Sequence, residues 1–421
     1  MTTDFPSQVQ TFALSMFANA VQSSAGQDLG LQAAKQIGQA LTNAAGIIGQ
    51  WRIVWGPGVV VQPGNQAYSE NLMYVVQNVD QPAQYVIAIA GTNFKSTADS
   101  LIEDCFVFKQ VPWLYNLAAV GAKISLGSAI GLLNLQSVKP APRLPGAGTT
   151  LVEFLRTIVG QNVQITVAGH SLGGALAPTV ALWLADTAQG LLFPWDPKKN
   201  AVIGAQAYAG PTAGNLEFAV YSGVKLGAQL RPCYNTMDVV PHAWQELGEP
   251  SLSELAKLYA PDLAPPKADA SYILLKLLLD VFRLLALGQG YAPLPNLEAR
   301  AGKYDPSCYT GSNLDTFTQY LQQLGHQHIP AYYDWFQYKK EWMPADPQRP
   351  VNLSPELMAI AQKSASADDF VRALQSRTPR KIQVGDAVVD APNGPGDPQA
   401  DKVAAMVEAA FAKQAGVSAA S

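Results

Sequence analysis

One apolar stretch that turns directly into a helix constrains this chain more than any other feature. Residues 163–174 read VQITVAGHSLGG, and a run rich in Ala and Leu follows them. A Gly-x-Ser-x-Gly pattern between a strand and a helix is typical of a nucleophile elbow, a strained turn that presents one serine at the end of a sheet. The turn needs small residues two places before and after the serine, and Gly169 and Gly173 meet that need. An ordinary glycine-rich turn would carry the same letters, but the strand before it and the helix after it favour an elbow at Ser171.

The rest of the chain supplies strands at a rhythm that predicts an α/β fold. Helical spacing of apolar residues over 5–45 predicts N-terminal helices packed on a sheet. Strand-like runs then occur at 51–55, 59–61, 72–79, 85–90, 201–208 and 228–235. Helix-sized segments separate the later runs, which indicates a mostly parallel sheet flanked by helices. Because crossover connections are right-handed, the catalytic loops should collect at the carboxyl edge of that sheet.

Composition and cysteine spacing argue against nucleic-acid binding, a disulfide framework and a zinc site. Apolar residues make up 48% of the 421 residues and charged residues 14%, with a net charge of −4. No tract combines Lys or Arg with aromatic residues, so we expect no nucleic-acid partner. Three scattered cysteines, Cys105, Cys233 and Cys308, match neither a disulfide framework nor a zinc motif, and we expect buried free thiols. The sequence indicates no metal and no cofactor.

The domain organisation is predicted as one α/β domain over residues 1–345, followed by a C-terminal extension over 346–421 that is packed on the core or appended to it. Residues 101–138 are crowded with large apolar side chains, which fits either core packing or a mobile lid-like flap. Residues 244–312 form a second insertion with a long apolar helix over 272–287, which is too short and too charged to span a bilayer. Packing on the core is favoured for this helix, and an acyl-binding wall is the alternative.

A reactive serine requires a base, and the base requires an acid that fixes its tautomer. In the predicted fold the three residues follow the order Ser, Asp, His along the chain. Asp238 follows a buried strand and so lies on a loop at the carboxyl edge of the sheet. Capping of the turn before Pro241 is the alternative role for that carboxylate. We take Asp238 as the candidate acid.

Only four histidines are available as the base. His170 precedes Ser171 within the elbow and points away from its hydroxyl, and His242 shares the loop of Asp238, which favours a supporting or surface position. His326 and His328 remain, both predicted on a loop that leads into an aromatic segment. His328 is favoured because Tyr332 and Tyr333 would pin its loop by packing.

Five motifs, in this order along the chain, resemble the class 3 lipases, an α/β-hydrolase family that includes the triacylglycerol lipases of filamentous fungi. They are IAIAGT at 87–92, VAGHSLGGALA at 167–177, AYAGPTAGNLEFA at 207–219, NTMDVVP at 235–241 and HIPAYY at 328–333. The resemblance implies an α/β-hydrolase fold with lid and cap insertions. It implies Ser171, Asp238 and His328 as the catalytic residues. It also implies Thr92 and Leu172 as the residues of the oxyanion hole.

The expected activity is hydrolysis of a carboxylic ester, most simply a triacylglycerol at a lipid–water interface. Phospholipase A1 and short-chain esterase activity are alternatives, since the same triad serves all three. A catalytically inactive protein that kept the fold for interactions is the alternative from another class. The N-terminal residues lack the basic and apolar regions of a secretory signal, so we expect a cytoplasmic protein or export by another route.

Overall fold

A central sheet of seven strands organises the computed structural model, which describes residues 5–22, 24, 26, 28–61, 63, 69–91, 106–190, 194–246, 255, 258–259, 270–343 and 354–416. The strands of this sheet are β1 (Trp51–Val61), β2 (Ser69–Asn78), β3 (Gln84–Ile89), β6 (Val163–His170), β7 (Ala201–Tyr208), β8 (Leu230–Asn235) and β9 (Glu298–Arg300). They lie in the order β1-β2-β3-β6-β7-β8-β9. The first two pairings are antiparallel, and all those from β3 onward are parallel. The predicted α/β-hydrolase fold with a mostly parallel sheet is confirmed.

Helices flank the sheet, and two small hairpins complete the described structure. The helices are α1 (Gln8–Phe17), α2 (Leu29–Ile48), α3 (Leu126–Ser137), α4 (Leu151–Ile158), α5 (Leu172–Thr187), α6 (Leu216–Leu226), α7 (Ala270–Ala286), α8 (Thr316–His328), α9 (Pro330–Tyr333), α10 (Pro355–Lys363), α11 (Ala367–Gln375) and α12 (Pro398–Ala415). One hairpin pairs β4 (Gln110–Pro112) with β5 (Lys123–Ser125), and the other pairs β10 (Lys381–Val384) with β11 (Ala387–Asp390).

Side chains along the central strands point alternately to the two faces of the sheet, and this divides the core into two layers. In β3, Ile87 and Ile89 belong to one apolar cluster with side chains of α3 and α5. Val86 and Ala88 belong to another, with α1, α2 and the aromatic residues after α8. Successive side chains of a strand point to opposite faces, so a fully apolar strand of this kind is buried on both. The sheet is therefore sandwiched between two apolar layers.

The described part of the lid-like segment, residues 106–138, forms the β4–β5 hairpin and α3. Almost every residue of α3 is buried. Val111 and Trp113 of the segment join the apolar cluster that contains Ile87 and the side chains of α3 and α5, which we call the main core. Trp113 and Tyr115 of this segment contact α5 and α12, whereas Leu117 is 85% exposed. Residues 101–105 of the predicted lid lie outside the described part of the chain.

The second insertion carries α7, which forms a third apolar cluster above the sheet. We call this cluster the cap cluster; it joins side chains of α7 and α8 to Val239, Val240, Val107 and the C-terminal helices α10 and α11. Residues 247–254, 256–257 and 260–269 of the insertion are outside the description. The C-terminal extension packs on both insertions: α10 and α11 against α7, and α12 with β10 against α3.

Two smaller predictions concern membranes and thiols. Within the described ranges, no helix is long and apolar enough to cross a membrane. Cys233 is a buried free thiol and Cys308 is a free thiol that is only half-buried. Cys105 is not among the residues described.

Candidate active site

The turn between β6 and α5 holds Ser171 in a conformation that L-residues rarely adopt. Its backbone has φ 61° and ψ −129°, which is a strained geometry characteristic of a nucleophile elbow. Glycines make this crossing possible: a Cβ on Gly169 would fall on the backbone of Gly173, and one on Gly174 would lie 2.5 Å from the carbonyl oxygen of Tyr208. The Ser171 amide donates to that same carbonyl at 2.9 Å. Close backbone packing therefore fixes where the serine stands.

Ser171, His328 and Asp238 form one continuous chain of hydrogen bonds. The distance from Ser171 Oγ to His328 Nε2 is 2.9 Å. On the other side of the ring, His328 Nδ1 lies 2.9 Å from Asp238 Oδ2 and 3.1 Å from Oδ1. The carboxylate accepts from Nδ1–H, which leaves Nε2 as the acceptor for the serine hydroxyl. All three residues are at most 2% exposed, so these bonds operate away from bulk water.

The Asp238 carboxylate has two further donors besides His328. The Tyr332 hydroxyl donates to Oδ2 at 2.9 Å, and the Val240 amide donates to Oδ1 at 3.0 Å. Tyr332 also accepts from the Asn235 amide at 2.8 Å, which ties it to the end of β8. The sequence predicted only a packing role for Tyr332. Its position four residues after the candidate base is the signal that could have indicated a hydrogen bond to the acid.

His328 is the last residue of α8 and does not lie on a loop as predicted. The helix begins at the Asp315 cap, and Leu324 is its last residue in the cap cluster. Beyond Leu324, hydrogen bonds hold its final turn. His170 Nε2 donates to the His328 carbonyl oxygen at 2.8 Å, and Asn235 Nδ2 donates to Gln327 Oε1 at 2.7 Å.

The other two histidines lie elsewhere. His326 Nε2 lies 3.4 Å from Asp305 Oδ2, on the opposite side of α8 from the serine, and its side chain is 23% exposed. His242 was expected in a supporting or a surface position; it is buried, which excludes the surface position, and its ring packs edge-on against Tyr234. Its Nδ1 lies 3.3 Å from Gln245 Oε1. Of the four histidines, His328 is the one that reaches Ser171.

Burial sets the protonation of the groups around the triad. It lowers the pKa of His170 well below its ordinary value, and the neighbouring His328 lowers it further, so His170 is neutral and donates through Nε2. Burial and the charge of Asp238 raise the pKa of Tyr332 well above its ordinary value. Tyr332 therefore keeps its proton and remains a donor to the carboxylate.

Of the two residues expected to form the oxyanion hole, Leu172 is among the described residues. Leu172 is the first residue of α5, where backbone N–H groups have no partner within the helix and the helix dipole favours negative charge. Thr92 lies outside the described residues, and the chain is described up to Gly91.

The cap cluster contacts the start of α5, directly after Ser171. Leu172 and Phe108 pack against both this cluster and the main core, and so join the elbow to the cap. Ser171 itself is 2% exposed.

The fold and this geometry define an α/β-hydrolase with a serine at its elbow. In comparison with known protein families, residues 87–247 match the family described as Lipase (class 3). The resemblance found in the sequence is confirmed, and the protein is a serine hydrolase that acts on carboxylic esters.

The chain is also similar to several solved structures. The crystal structure of M37 lipase is 29% identical, with 79% of this chain and 94% of that chain covered and a TM-score of 0.65. Lipase II from Rhizopus niveus is 20% identical, with 56% and 74% covered and a TM-score of 0.34. Lip2 lipase from Yarrowia lipolytica is 16% identical, with 55% and 71% covered and a TM-score of 0.34. No match was found among curated protein sequences.

Proposed function

We propose that the protein is a triacylglycerol lipase that works through a Ser171, His328 and Asp238 triad. The observation that carries this proposal is the unbroken hydrogen-bonded chain from Ser171 Oγ to the Asp238 carboxylate, with spacings of 2.9 Å at both links. Such spacings are those that proton transfer to a general base requires.

In the proposed mechanism, Ser171 Oγ attacks the ester carbonyl carbon as its proton passes to His328 Nε2. Asp238 stabilises the imidazolium through Nδ1–H. The tetrahedral intermediate collapses when His328 returns the proton to the leaving alcohol, and the acyl group remains on Ser171 as an ester. Water, activated by the same histidine, then releases the fatty acid. The Leu172 amide at the start of α5 is the proposed donor to the oxyanion, together with Thr92.

Apolar surroundings support a long-chain acyl ester as the substrate. Leu172, next to the nucleophile, contacts the cap cluster, whose members are aliphatic and aromatic. Burial of an acyl chain against such side chains contributes roughly 0.8 kcal/mol for each CH₂ group.

The test is hydrolysis of p-nitrophenyl esters from butyrate to palmitate and of a trioleoylglycerol emulsion by wild type, Ser171→Ala and Ser222→Ala. Ser222 is also fully buried, and its hydroxyl bonds to the Phe218 carbonyl within α6, so it is a matched control. We expect loss of activity of at least about 10³-fold for Ser171→Ala only. Full activity of Ser171→Ala would refute the mechanism.

The acyl-length profile tests the substrate class. We expect higher kcat/KM for long chains than for butyrate and activity on emulsified triacylglycerol. Butyrate preference without activity on the emulsion would identify an esterase instead. Faster release of fatty acid from phosphatidylcholine vesicles than from triacylglycerol would identify a phospholipase.

A further inference from the structure

Asn235, the last residue of β8, forms hydrogen bonds through both ends of its side-chain amide. Its Oδ1 accepts from the Met237 amide at 3.0 Å. Its Nδ2 donates to the Gln327 carbonyl oxygen at 2.9 Å and to Gln327 Oε1 at 2.7 Å. The whole residue is buried. One short side chain therefore joins the loop of the candidate acid to the end of the helix that carries the candidate base.

On the acid side, Asn235 fixes the backbone that leads to Asp238. Its carbonyl oxygen accepts from the Asp238 amide at 2.9 Å. The bond from the Met237 amide to Oδ1, two residues back, is that of an Asx turn. The Asn235 amide donates to the Tyr332 hydroxyl, which itself donates to the Asp238 carboxylate. Backbone and side chain of Asn235 thus both hold the surroundings of the acid.

On the base side, Asn235 supplies a partner that the end of α8 lacks. The last carbonyl groups of a helix have no acceptor role within that helix. Asn235 Nδ2 donates to the carbonyl oxygen of Gln327, and His170 Nε2 donates to that of His328 at 2.8 Å. Both donors stand at the carboxyl ends of central strands, β8 and β6. The final turn of α8 is therefore fixed to the sheet beside Asp238 and Ser171.

The Asn235 amide also begins a run of three buried side-chain amides. Gln327 Nε2 donates to Gln323 Oε1 at 2.9 Å, and Gln323 Nε2 donates to the Asp305 carbonyl oxygen at 3.2 Å. Gln323 and Gln327 are fully buried and lie one turn apart on α8. All donors in the run point the same way, so each bond polarises the next. This arrangement needs a side chain at residue 235 that both donates and accepts.

From these contacts we infer that Asn235 is a positioning residue that sets the spacing between Asp238 and His328. The inference rests on the proposed function, since it presumes that the two residues activate Ser171. Without Asn235, the 2.9 Å separation of His328 Nδ1 and Asp238 Oδ2 is no longer held from both sides. Ser171 would then react more slowly, although Asn235 does not belong to the triad.

The first test is Asn235→Ala against the matched control Asn78→Ala. Asn78 is also buried and ends β2. Its Oδ1 accepts from the Asp80 amide at 2.9 Å, and its Nδ2 donates to Gln84 Oε1 at 3.1 Å. The two asparagines therefore make the same kinds of bond. Gln84 begins β3, which runs parallel to β6, so Asn78 lies at the edge of the sheet opposite Ser171.

The readout is the reaction of each variant with a p-nitrophenyl alkylphosphonate. Ser171 Oγ bonds to phosphorus, p-nitrophenolate leaves, and the serine proton passes to His328. The amount of p-nitrophenolate released measures the folded fraction, whereas the rate constant measures the alignment of the triad in folded molecules. A variant that is only less stable would lower the amount released and leave the rate constant unchanged.

For Asn235→Ala we expect the phosphonylation rate constant, and kcat for p-nitrophenyl ester hydrolysis, to fall about tenfold to a hundredfold. KM should stay within about twofold of wild type, because the ester still binds to an unchanged pocket. For Asn78→Ala we expect both rates to stay within about twofold of wild type, since its bonds lie far from the triad.

The second pair, Gln327→Met and Gln323→Met, tests the inference even if Asn235→Ala does not fold. The two glutamines are equally buried on α8, but only Gln327 bonds to Asn235. We expect the phosphonylation rate constant to fall about threefold to tenfold in Gln327→Met and to change less than about twofold in Gln323→Met. A wild-type rate constant in Asn235→Ala, or equal rate constants in the two glutamine variants, would overturn the positioning role. Phosphonylation that survives in Ser171→Ala would instead refute the proposed function itself.

Discussion

Tyr332 connects the acid of the candidate triad to the strand that leads to it. Its hydroxyl donates to Asp238 Oδ2 and accepts from the Asn235 amide, and the whole side chain is buried. The carboxylate then has three donors, which holds it in one orientation toward His328 Nδ1. A buried carboxylate with fewer donors would be both costlier to ionise and freer to turn.

Tyr332→Phe should therefore lower kcat and stability together. We expect kcat to fall about tenfold because Asp238 loses one of its orienting donors. We expect the free energy of unfolding to fall by about 1–3 kcal/mol because the Asn235 amide loses its acceptor. Steady-state kinetics and urea unfolding measure the two effects.

Tyr74→Phe is the matched control for that variant. Tyr74 is equally buried, and its hydroxyl donates to the Leu14 carbonyl oxygen at 2.7 Å on the α1 face of the sheet. It should lose stability without a change in kcat. A tenfold loss of kcat in Tyr74→Phe would show that burial of any tyrosine near α1, and not the bond to Asp238, governs turnover.

Buried histidines make stability depend on pH. Burial lowers the pKa of His242, partly opposed by the charge of Asp238 and the bond to Gln245, and burial lowers that of His170 as well. In the unfolded chain both titrate near about 6.5. As pH falls below that value, the unfolded state binds protons that the folded state excludes, and stability is lost.

The contribution of these two histidines to the free energy of unfolding should thus be constant above neutral pH and fall on acidification, by up to about 1.4 kcal/mol per pH unit for each histidine. His242→Gln removes one titrating group and should show a shallower loss between pH 7 and pH 5.5. Urea unfolding at several pH values checks this. An identical slope in the variant and wild type would contradict the effect of His242.

At the scale of elements, the elbow depends on close contact between the backbone of α5 and the backbone that ends β7. Gly174 lies where α5 begins against the end of β7, and a Cβ there would lie 2.5 Å from the Tyr208 carbonyl oxygen and 2.8 Å from Gly210 Cα. Backbone atoms cannot move aside as a flexible side chain does. The start of α5 can therefore approach β7 only if residue 174 has no side chain.

Gly174→Ala should destabilise the protein by about 1–3 kcal/mol and displace the serine, with a large loss of kcat. Gly46→Ala is the control, because Gly46 is on the exposed side of α2 and a Cβ there meets nothing within 4 Å. It should stabilise the helix by up to about 1 kcal/mol. Thermal unfolding and ester hydrolysis of both variants make the comparison; a neutral Gly174→Ala would contradict the close approach.

Sequence patterns predicted the elements where local chemistry decides the structure. Apolar runs located β3, β6 and β7, and the glycines around Ser171 predicted its turn. The end of α8 was misjudged because His326 and His328 interrupt its apolar pattern, while the hydrogen bonds that hold its last turn come from His170 and Asn235, which are distant in sequence. The bond between Tyr332 and Asp238 joins residues 94 positions apart, and no local pattern encodes it. Residues 106–138 were ambiguous for the same reason, since an apolar segment fits a core or a flap until its partners are known.

At the scale of the whole molecule, the C-terminal extension links the two insertions. Helices α10 and α11 pack on α7 in the cap cluster, and α12 packs on α3 and β4 in the main core. Lys109 next to β4 also pairs with Asp401 of α12 at 2.7 Å, but that pair is largely exposed and adds little. Apolar burial is the dominant contribution. We propose that residues 354–416 fold as one cooperative unit with the hydrolase domain.

Phe411→Ala tests that cooperativity. Phe411 is fully buried, and its ring lies 4.9 Å from that of Tyr115 in the segment before α3. Removal of a buried phenylalanine leaves a cavity and costs about 3–5 kcal/mol, whereas Met406→Ala on the same helix, at a side chain 39% exposed, should cost within about 0.5 kcal/mol. If the extension and the hydrolase domain unfold together, tryptophan fluorescence and circular dichroism will follow one transition, shifted to lower urea by Phe411→Ala at an unchanged m-value. An extension that is merely appended would instead melt in a separate early transition, and the main transition of Phe411→Ala would coincide with that of wild type.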